Sequence, residues 1–228
     1  MSGAPVLVAP LPPAGVVDVW RVELDDPRWQ LVEDLPPADR ERAARLHASA
    51  TRRRWTAARL ALRMVLARYS DGGATWPVEF VFGPHGKPSL PGPGPIRFNL
   101  SHSDALALVA VTVEVEVGVD VERVDRGRDV DALIPLALDD EDAAAVRAAS
   151  ADRRAEAFHR AWVRREAIVK CGGQGLGGRP PAVPITATPI DLDGPYVAAL
   201  AVAAPVPAQP RLLELAPPSM GVRCARSG

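Results

Sequence analysis

Two acidic side chains, Asp120 and Glu122, stand one residue apart in the valine-rich stretch GVDVERVD at 118–125. Because side chains alternate between the faces of a strand, both carboxylates would lie on one face and Val119 and Val121 on the other. Mg²⁺ takes oxygen ligands, usually one or two carboxylates together with waters and substrate phosphates. Taken alone, the pair favours a strand with one solvated face over a Mg²⁺ site, since the preceding TVEVEV has the same alternation.

An acid and a base follow in the stretch FHRAWVRREAIVKCGGQGL, which has a helical pattern. Glu166 and Lys170 are four residues apart and share one flank of that helix. They could act on a substrate, or they could form a surface ion pair worth about 0.3–0.5 kcal/mol. Arg165 falls inside the apolar sector, where a charge must reach the helix edge or an anionic partner. The residues predicted to form the buried stripe are Phe158, Ala161, Trp162 and Val169.

A third polar group precedes a clean apolar run in FNLSHSDALALVAV: Asn99, Ser101, His102 and Ser103. Small hydroxyl groups and a histidine at the start of a strand suit the oxygens of a phosphate. Turn chemistry with one hydrogen-bonded histidine explains the same residues equally well. The sequence contains no glycine-rich phosphate loop of either nucleotide-binding type.

The elements that would carry these residues begin with an alternating strand at 16–24. One or two helices follow at about 38–69, with Thr51 as a candidate N-cap. A short strand is predicted at 78–82. The next stretch, GPHGKPSLPGPGP, is too rich in glycine and proline to be anything but a loop, so we expect Lys87 on a loop.

The second part of the chain predicts about three strands within 96–124, broken near SHSD and near EVEVG. Helices are expected at 139–149, behind an acidic N-cap, and at 152–171. After residue 178 only two stretches have a strand pattern, at 195–204 and at 211–216.

Composition excludes several classes of function. The chain has 228 residues, 47% of them hydrophobic, and a formal charge of −1, with 27 Lys and Arg against 28 Asp and Glu. That balance argues against nucleic-acid binding and limits any anion site to a local cluster. No run approaches the 18 apolar residues of a membrane span. Cys171 and Cys224 match no zinc pattern and are predicted to be reduced thiols, which indicates the cytoplasm.

Four stretches occur in a fixed order along the chain: GKPSL (86–90), FNLSHS (98–103), GVDVE (118–122) and WVRREAIVKCGGQGL (162–176). Together they resemble the 4'-phosphopantetheinyl transferases of the Sfp type, over about residues 38–176. The resemblance implies an α+β fold, a monomer of two similar halves in a pseudo-two-fold arrangement with the active site between them. We expect the halves at 1–105 and 106–228, the second carrying the Mg²⁺-binding acids.

The resemblance also implies an activity. The phosphopantetheine arm of coenzyme A would be transferred to a serine hydroxyl of an apo acyl or peptidyl carrier protein, with release of 3',5'-ADP. The cofactor would be Mg²⁺, with Mn²⁺ able to substitute. Phosphoryl chemistry of this kind needs positioning and charge neutralisation more than it needs a covalent nucleophile.

Carried over by position, Asp120, Glu122 and Glu166 would bind Mg²⁺ together with the coenzyme A pyrophosphate. Glu166, directly or through water, would take the serine proton, and Lys170 would neutralise charge on the leaving phosphate. His102 is a further catalytic candidate. The residues implied to contact coenzyme A are Arg54, Lys87, Ser101, His102, Arg165 and Lys170.

The sequence departs from the family pattern in two ways. Arg165 stands where the family usually has lysine, which keeps the charge but presents it as a planar fork. The lysines that the family often carries in its first helix are not matched at the same spacing, and Arg40, Arg42 and Arg45 are candidate substitutes.

Two other functions use the same residues. A Mg²⁺-dependent phosphohydrolase would use the same acids but turn over coenzyme A without a protein acceptor. A non-catalytic module that binds coenzyme A or a carrier protein would tolerate the loss of Glu166.

Overall fold

A computed structural model of the protein describes residues 9–29, 32–69, 78–173 and 183–218. The described strands are β1 (Val16–Glu23), β2 (Val81–Phe82), β3 (Pro88–Ser89), β4 (Ile96–Ser103), β5 (Leu106–Val113), β6 (Val117–Arg123), β7 (Thr186–Ile190), β8 (Tyr196–Val202) and β9 (Gln209–Glu214). The described α-helices are α1 (Pro37–Ala44), α2 (Ser49–Ala67), α3 (Ile134–Ala137), α4 (Asp140–Ala148) and α5 (Ala151–Gly172). The 3₁₀ helices Pro27–Trp29 and Val32–Asp34 lie between β1 and α1.

The strands form two main sheets. In the first sheet the order is β4-β5-β1-β9, with β1 antiparallel to β5 and parallel to β9. In the second sheet the order is β6-β8-β7, antiparallel throughout. The short strands β2 and β3 pair with each other before β4. The mixed α+β class expected from the sequence is confirmed, whereas the pseudo-two-fold relation of two halves stays a prediction.

Alternation along β1 explains how the layers stack. Trp20 and Val22 pack with the apolar face of α2 in one core cluster. Val17 and Val19 face the other way and pack with apolar residues of β6 and β8 from the second sheet. The opposite face of the second sheet packs on α5. The molecule is therefore layered as α2, first sheet, second sheet and α5, and β1 is buried on both faces.

The expected boundary between residues 105 and 106 falls in the turn that joins β4 to β5, and these two strands pair over eight positions. Strands β5 and β9, which lie after that boundary, complete a sheet that β1 and β4 begin. The division of the chain into halves at this point stays a prediction.

Several sequence predictions need correction. The N-cap of α2 is Ala48, not Thr51, because the helix begins at Ser49. The short strand predicted at 78–82 is limited to Val81–Phe82. Strand β7 was not predicted, because Pro189 interrupts its pattern; an edge strand tolerates proline, and β7 is an edge of its sheet.

The buried stripe predicted for α5 is only partly correct. Phe158 is buried as expected, but Ala161, Trp162 and Val169 are only partly buried. The helix instead packs on the second sheet through the smaller side chains of Val163, Ala167 and Cys171, because close packing on the sheet selects small residues. The buried residues of α5 are Ala155, Phe158, His159, Val163, Ala167 and Cys171.

Other predictions agree with the structure. Asp139 is the N-cap of α4, where its side chain accepts a hydrogen bond from the backbone N–H of Asp142 at 2.9 Å. Cys171 is a free, buried thiol, as expected, and Cys224 lies outside the described residues. None of the helices in the described ranges is both long and apolar enough to cross a membrane.

Candidate active site

Strand β6 directs the two acids toward α5. Val119 and Val121 are fully buried between the two sheets, so the residues between and after them point to the opposite face. Asp120 is only 4% exposed, and Glu122, nearer the end of the strand, is partly buried. The interpretation of this stretch as a strand with one solvated face is therefore wrong at Asp120.

Gly118 sets the distance between β6 and α5. A Cβ atom added at this position would lie 2.1 Å from the carbonyl oxygen of Ala167 and 2.4 Å from the backbone nitrogen of Cys171. No larger residue fits without moving one of the two backbones. This contact lies one turn of α5 or less from Glu166 and Lys170, so it also brings their side chains against the acids of β6.

Lys170 contacts Asp120 instead of Glu166. Its Nζ atom lies 2.5 Å from Oδ1 of Asp120 and 3.0 Å from Oγ of Ser101. In the part of the chain that the structure describes, no ion pair joins Lys170 to Glu166, although they are four residues apart. The interpretation of these two residues as a surface ion pair is therefore wrong.

Glu166 is the carboxylate of the site that lacks a donor. Its Oε1 atom and Oδ2 of Asp120 are both buried, and neither accepts a hydrogen bond from any residue that the structure describes. Burial and the negative charge of Asp120 raise the pKa of Glu166, against the opposing effect of Lys170 and Arg165. Each of the two interacting carboxylates thus has one buried oxygen that is not hydrogen-bonded within the described residues.

The two free carboxylate oxygens indicate whether the site could bind a divalent cation. Within the described ranges no group of three or more His, Cys, Asp or Glu side chains is gathered closely enough to hold a metal ion. Asp120, Glu122 and Glu166 therefore do not form a closed, preformed triad. The two unpartnered carboxylate oxygens are nevertheless the donor type that Mg²⁺ prefers when phosphate and water complete its shell. The residues present fit such an ion.

Strand β4 joins the site to the first sheet through side chains. Oδ1 of Asn99, Oγ of Ser101 and Oγ of Ser103 accept hydrogen bonds from successive outward N–H groups of β6. The hydroxyls of Ser101 and Ser103 in turn donate to Asp120 and Glu122, both at 2.7 Å. The sequence interpretation of these residues, as phosphate contacts or turn residues, missed this role. Their strict alternation along a strand was the available signal.

A cavity of about 280 Å³ opens beside Lys170 between α2 and β4. His102 contributes to its wall. The residue as a whole is exposed, but its ring is partly desolvated by the surrounding protein, and this desolvation together with the positive charge of Lys170 lowers its pKa. A neutral imidazole beside an ammonium group can donate a hydrogen bond to an anion without adding charge. The lining residues are Trp55, Ala58, Arg59, Leu100, Ser101, His102 and Lys170.

Trp55 and Arg59 were not predicted as site residues. The guanidinium of Arg59 lies 5.7 Å from the centre of the Trp55 ring, one turn away on α2, and 3.4 Å from Asp39. A stacked arginine and an indole beside a cavity are suited to a planar, anionic ligand. The signal in the sequence was their spacing of four residues, which places both on one face of a helix.

Three residues expected to contact coenzyme A do not line this cavity: Arg54, Arg165 and Lys87. Arg54 forms ion pairs with Asp25 and Asp104. Arg165 donates a hydrogen bond to the backbone carbonyl of Ala137. Of the two arrangements expected for this charge, the helix edge or an anionic partner, it therefore adopts the first.

Lys87 lies on a loop, as expected, just before β3. Its Nζ atom donates to Glu116 at 2.7 Å and to the carbonyl oxygens of Val117 and Cys171 at 3.1 and 3.2 Å. It therefore ties the loop to the start of β6 and to the last turn of α5. Its predicted contact with a phosphate stays a prediction.

Glu122 also borders a second cavity, of about 330 Å³, between α3 and α5. Its walls are mostly apolar, and Leu136 at its rim is 81% exposed. Glu122 is thus an acidic side chain at the edge of a mostly apolar cavity.

Comparison with known families bears on the segment that carries these acids. A family model described as the 4'-phosphopantetheinyl transferase superfamily matches residues 116–208. The match supports this superfamily. A search of curated proteins finds no match to the chain.

The match to the transferase superfamily covers less than half of the 228 residues. It runs from the residue before β6 to the residue before β9, so it contains α5 together with Asp120, Glu122 and Glu166. The wall of the 280 Å³ cavity that α2 and β4 provide lies outside the matched segment. The similarity to the superfamily thus lies in the acid-bearing part of the site.

Proposed function

We propose that this protein transfers the 4'-phosphopantetheine arm of coenzyme A to a serine hydroxyl of an apo acyl or peptidyl carrier protein. The observation that carries the proposal is the pair of buried, unpartnered carboxylate oxygens on Asp120 and Glu166 beside Lys170. The superfamily match to the same segment supports it. We further propose that the enzyme is of the Sfp type and acts as a cytoplasmic monomer.

The cavity between α2 and β4 would hold the nucleotide and phosphates of coenzyme A. Arg59 supplies positive charge, and the Trp55 ring supplies a flat apolar surface for a base. His102, kept neutral by its environment, would donate a hydrogen bond to a phosphate oxygen. Arg54, Lys87 and Arg165 lie outside this cavity. To contact coenzyme A, each would have to exchange its present protein partner for the ligand.

In the proposed reaction the serine oxygen attacks the phosphorus that carries the pantetheine arm. The phosphorus–oxygen bond to the nucleotide breaks, and 3',5'-ADP leaves with the bonding electron pair. Lys170 neutralises the charge that builds up on this leaving phosphate. Glu166 takes the serine proton, directly or through water.

Asp120, Glu122 and Glu166 would hold the metal ion. When bound, Mg²⁺ would polarise the pyrophosphate oxygens and stabilise their charge. The buried Asp120 has one oxygen bound to Lys170 and Ser101 and one oxygen free, so it can serve the metal and the lysine at the same time.

Mass spectrometry tests the proposal. The protein is incubated with coenzyme A, Mg²⁺ and an apo carrier protein, and the carrier is expected to gain one phosphopantetheine, whereas Asp120→Ala is expected to leave the carrier unmodified. Consumption of coenzyme A without modification of the carrier would instead establish a phosphohydrolase. Binding of coenzyme A without any reaction would establish a non-catalytic module.

A second measurement tests the metal directly. Coenzyme A is expected to raise the melting temperature more with Mg²⁺ than without it, because only the folded state binds and the pyrophosphate completes the metal shell. Equal shifts with and without Mg²⁺ would contradict a metal site.

A further inference from the structure

We infer that Ser101 and Ser103 are positioning residues that hold the two acids of β6 in place for the metal and the substrate. The inference rests on the proposed function and assigns these serines a role other than contact with the ligand. It follows from how each hydroxyl is used in the structure.

The hydroxyl of Ser101 has no capacity left for a ligand. A serine hydroxyl has one hydrogen to donate and two lone pairs that accept. In Ser101 the hydrogen points to Oδ1 of Asp120 at 2.7 Å, and the lone pairs accept from Lys170 at 3.0 Å and from the backbone N–H of Val121 at 3.4 Å. A direct bond from this hydroxyl to a phosphate would have to break its bond to Asp120.

Ser103 repeats the arrangement two residues further along. Its hydroxyl donates to Oε2 of Glu122 at 2.7 Å and accepts from the backbone N–H of Arg123 at 3.1 Å. In both cases the serine accepts from the residue that follows an acid and donates to the acid itself. Side chains alternate along both β4 and β6, so each serine of β4 lies beside one acid of β6.

Asn99 distinguishes positioning of the acids from simple joining of the two sheets. It accepts from the backbone N–H of Val119 at 3.0 Å, in the same row as the two serines. Residue 118, which precedes Val119, is glycine, so Asn99 has no carboxylate to orient. An asparagine oxygen suffices to join the strands, whereas a hydroxyl is present at both positions that face an acid.

The consequence for chemistry is the orientation of the free oxygens. Each serine binds one carboxylate oxygen and so limits rotation of the carboxylate, while the other oxygen is left available to a ligand. At Asp120 that other oxygen is Oδ2, the buried atom without a partner. Groups that orient metal-binding side chains in this way typically contribute 10- to 100-fold to metal affinity or activity.

Metal binding and turnover in serine variants test the inference. Mn²⁺ is the probe, because its binding to the protein can be followed by electron paramagnetic resonance without any turnover. Ser101→Ala is expected to weaken Mn²⁺ binding by about 10- to 100-fold and to lower kcat with coenzyme A and an apo carrier protein. Ser103→Ala is expected to have a smaller effect of the same sign, because Glu122 is less buried than Asp120.

Asn99→Ala is the matched control. It also removes the partner of a buried N–H group of β6, so it is expected to lower the unfolding midpoint much as Ser101→Ala does. It is expected to change Mn²⁺ affinity by less than about twofold, since no acid is released. Ser103→Thr, which keeps the hydroxyl, is expected to restore most of the affinity that Ser103→Ala loses. If Ser101→Ala does not fold, the two Ser103 variants carry the same test.

The outcomes separate this inference from the proposed function. If the wild-type protein modifies the carrier but neither alanine variant differs from it in Mn²⁺ affinity by more than about twofold, the serines do not position the acids. An equal loss of affinity in Asn99→Ala would also overturn the inference, because joining of the strands would then explain it. Failure of the wild-type protein to modify a carrier would overturn the proposed function and this inference with it. Modification of the carrier without detectable binding of Mn²⁺ would overturn the inference alone.

Discussion

Lys170 Nζ lies 2.5 Å from Oδ1 of Asp120, and this ion pair connects α5 to β6 at the centre of the candidate site. The lysine side chain is 29% exposed and the aspartate side chain 5%. The two residues are 50 positions apart in the chain, so the contact depends on the packing of a helix on a strand. A residue that acts on the leaving phosphate would at the same time hold an acid of the site in place.

Lys170→Ala is therefore expected to affect both stability and rate. It leaves a buried carboxylate with only Ser101 as a partner at one oxygen, so we expect a loss of about 1–3 kcal/mol in the free energy of unfolding, measured with urea. We expect kcat to fall by about 10²- to 10³-fold with saturating coenzyme A. Arg160→Ala is the control on the same helix, because it removes an exposed pair with Glu156 worth less than about 0.5 kcal/mol. Equal losses in the two variants would contradict the special role of Lys170.

Glu166→Gln is expected to stabilise the protein while it slows the reaction. The pKa of Glu166 is raised in the folded state, so ionisation of this group costs stability as the pH rises from its unfolded value through its folded value. Glutamine cannot ionise, so the gain in melting temperature should be present at pH 7.5 without Mg²⁺ and absent near pH 4. Transfer should fall by about 10²- to 10⁴-fold through loss of the base.

Glu156→Gln provides the comparison for that variant, because Glu156 lies on the same helix but forms ion pairs with Arg126 and Arg160. It should bring no gain in melting temperature. A Glu166→Gln protein that melts below the wild type at pH 7.5 would show that folding does not raise the pKa of the Glu166 carboxyl group.

Gly118→Ala is expected to separate β6 from α5. The added Cβ would overlap backbone atoms of Ala167 and Cys171, which cannot move aside as the end of a side chain could. We expect a loss of about 3 kcal/mol or more in the free energy of unfolding, at the upper end for an overpacked core. Gly94→Ala is the control, because no atom of the described ranges lies within 4 Å of a Cβ at that position and the residue is exposed. Similar stability of the two variants would refute the close approach.

His102 is expected to be neutral at pH 7 and to titrate below its ordinary pKa of 6.5. Burial is the larger cause and the charge of Lys170 the second, so Lys170→Ala should raise the pKa part of the way back. Since the unfolded state binds the proton more readily, this group should reduce stability as the pH falls through its unfolded value. Nuclear magnetic resonance of the imidazole protons measures both titrations. A pKa at or above 6.5 in the wild type would contradict the assignment.

Local patterns in the sequence were sufficient for the face that Asp120 and Glu122 share, because alternation along a strand is a property of the strand itself. The same holds for the placement of Lys87 on a loop and for the N-cap at Asp139. In each case the residues that determine the outcome are neighbours in the chain.

Contacts between distant segments could not be predicted in this way. Helical spacing pairs Lys170 with Glu166, whereas packing of α5 on β6 pairs it with Asp120. Gly118 is the first residue of the GVDVE stretch, but nothing in the neighbouring sequence indicates that it contacts a helix about 50 residues later. The roles of Trp55 and Arg59 depend on which face of α2 is left beside a cavity.

The parallel pairing of β9 with β1 affects how the chain folds during its synthesis. Asp18, 1% exposed, accepts hydrogen bonds from Arg211 on β9, a residue 193 positions later. At ordinary rates of translation the ribosome needs about 10–40 s to cover that distance. During this time one edge of β1 lacks its partner strand, and such an edge can pair with another nascent chain. The protein is thus expected to depend on chaperones most strongly in the interval before β9 leaves the ribosome.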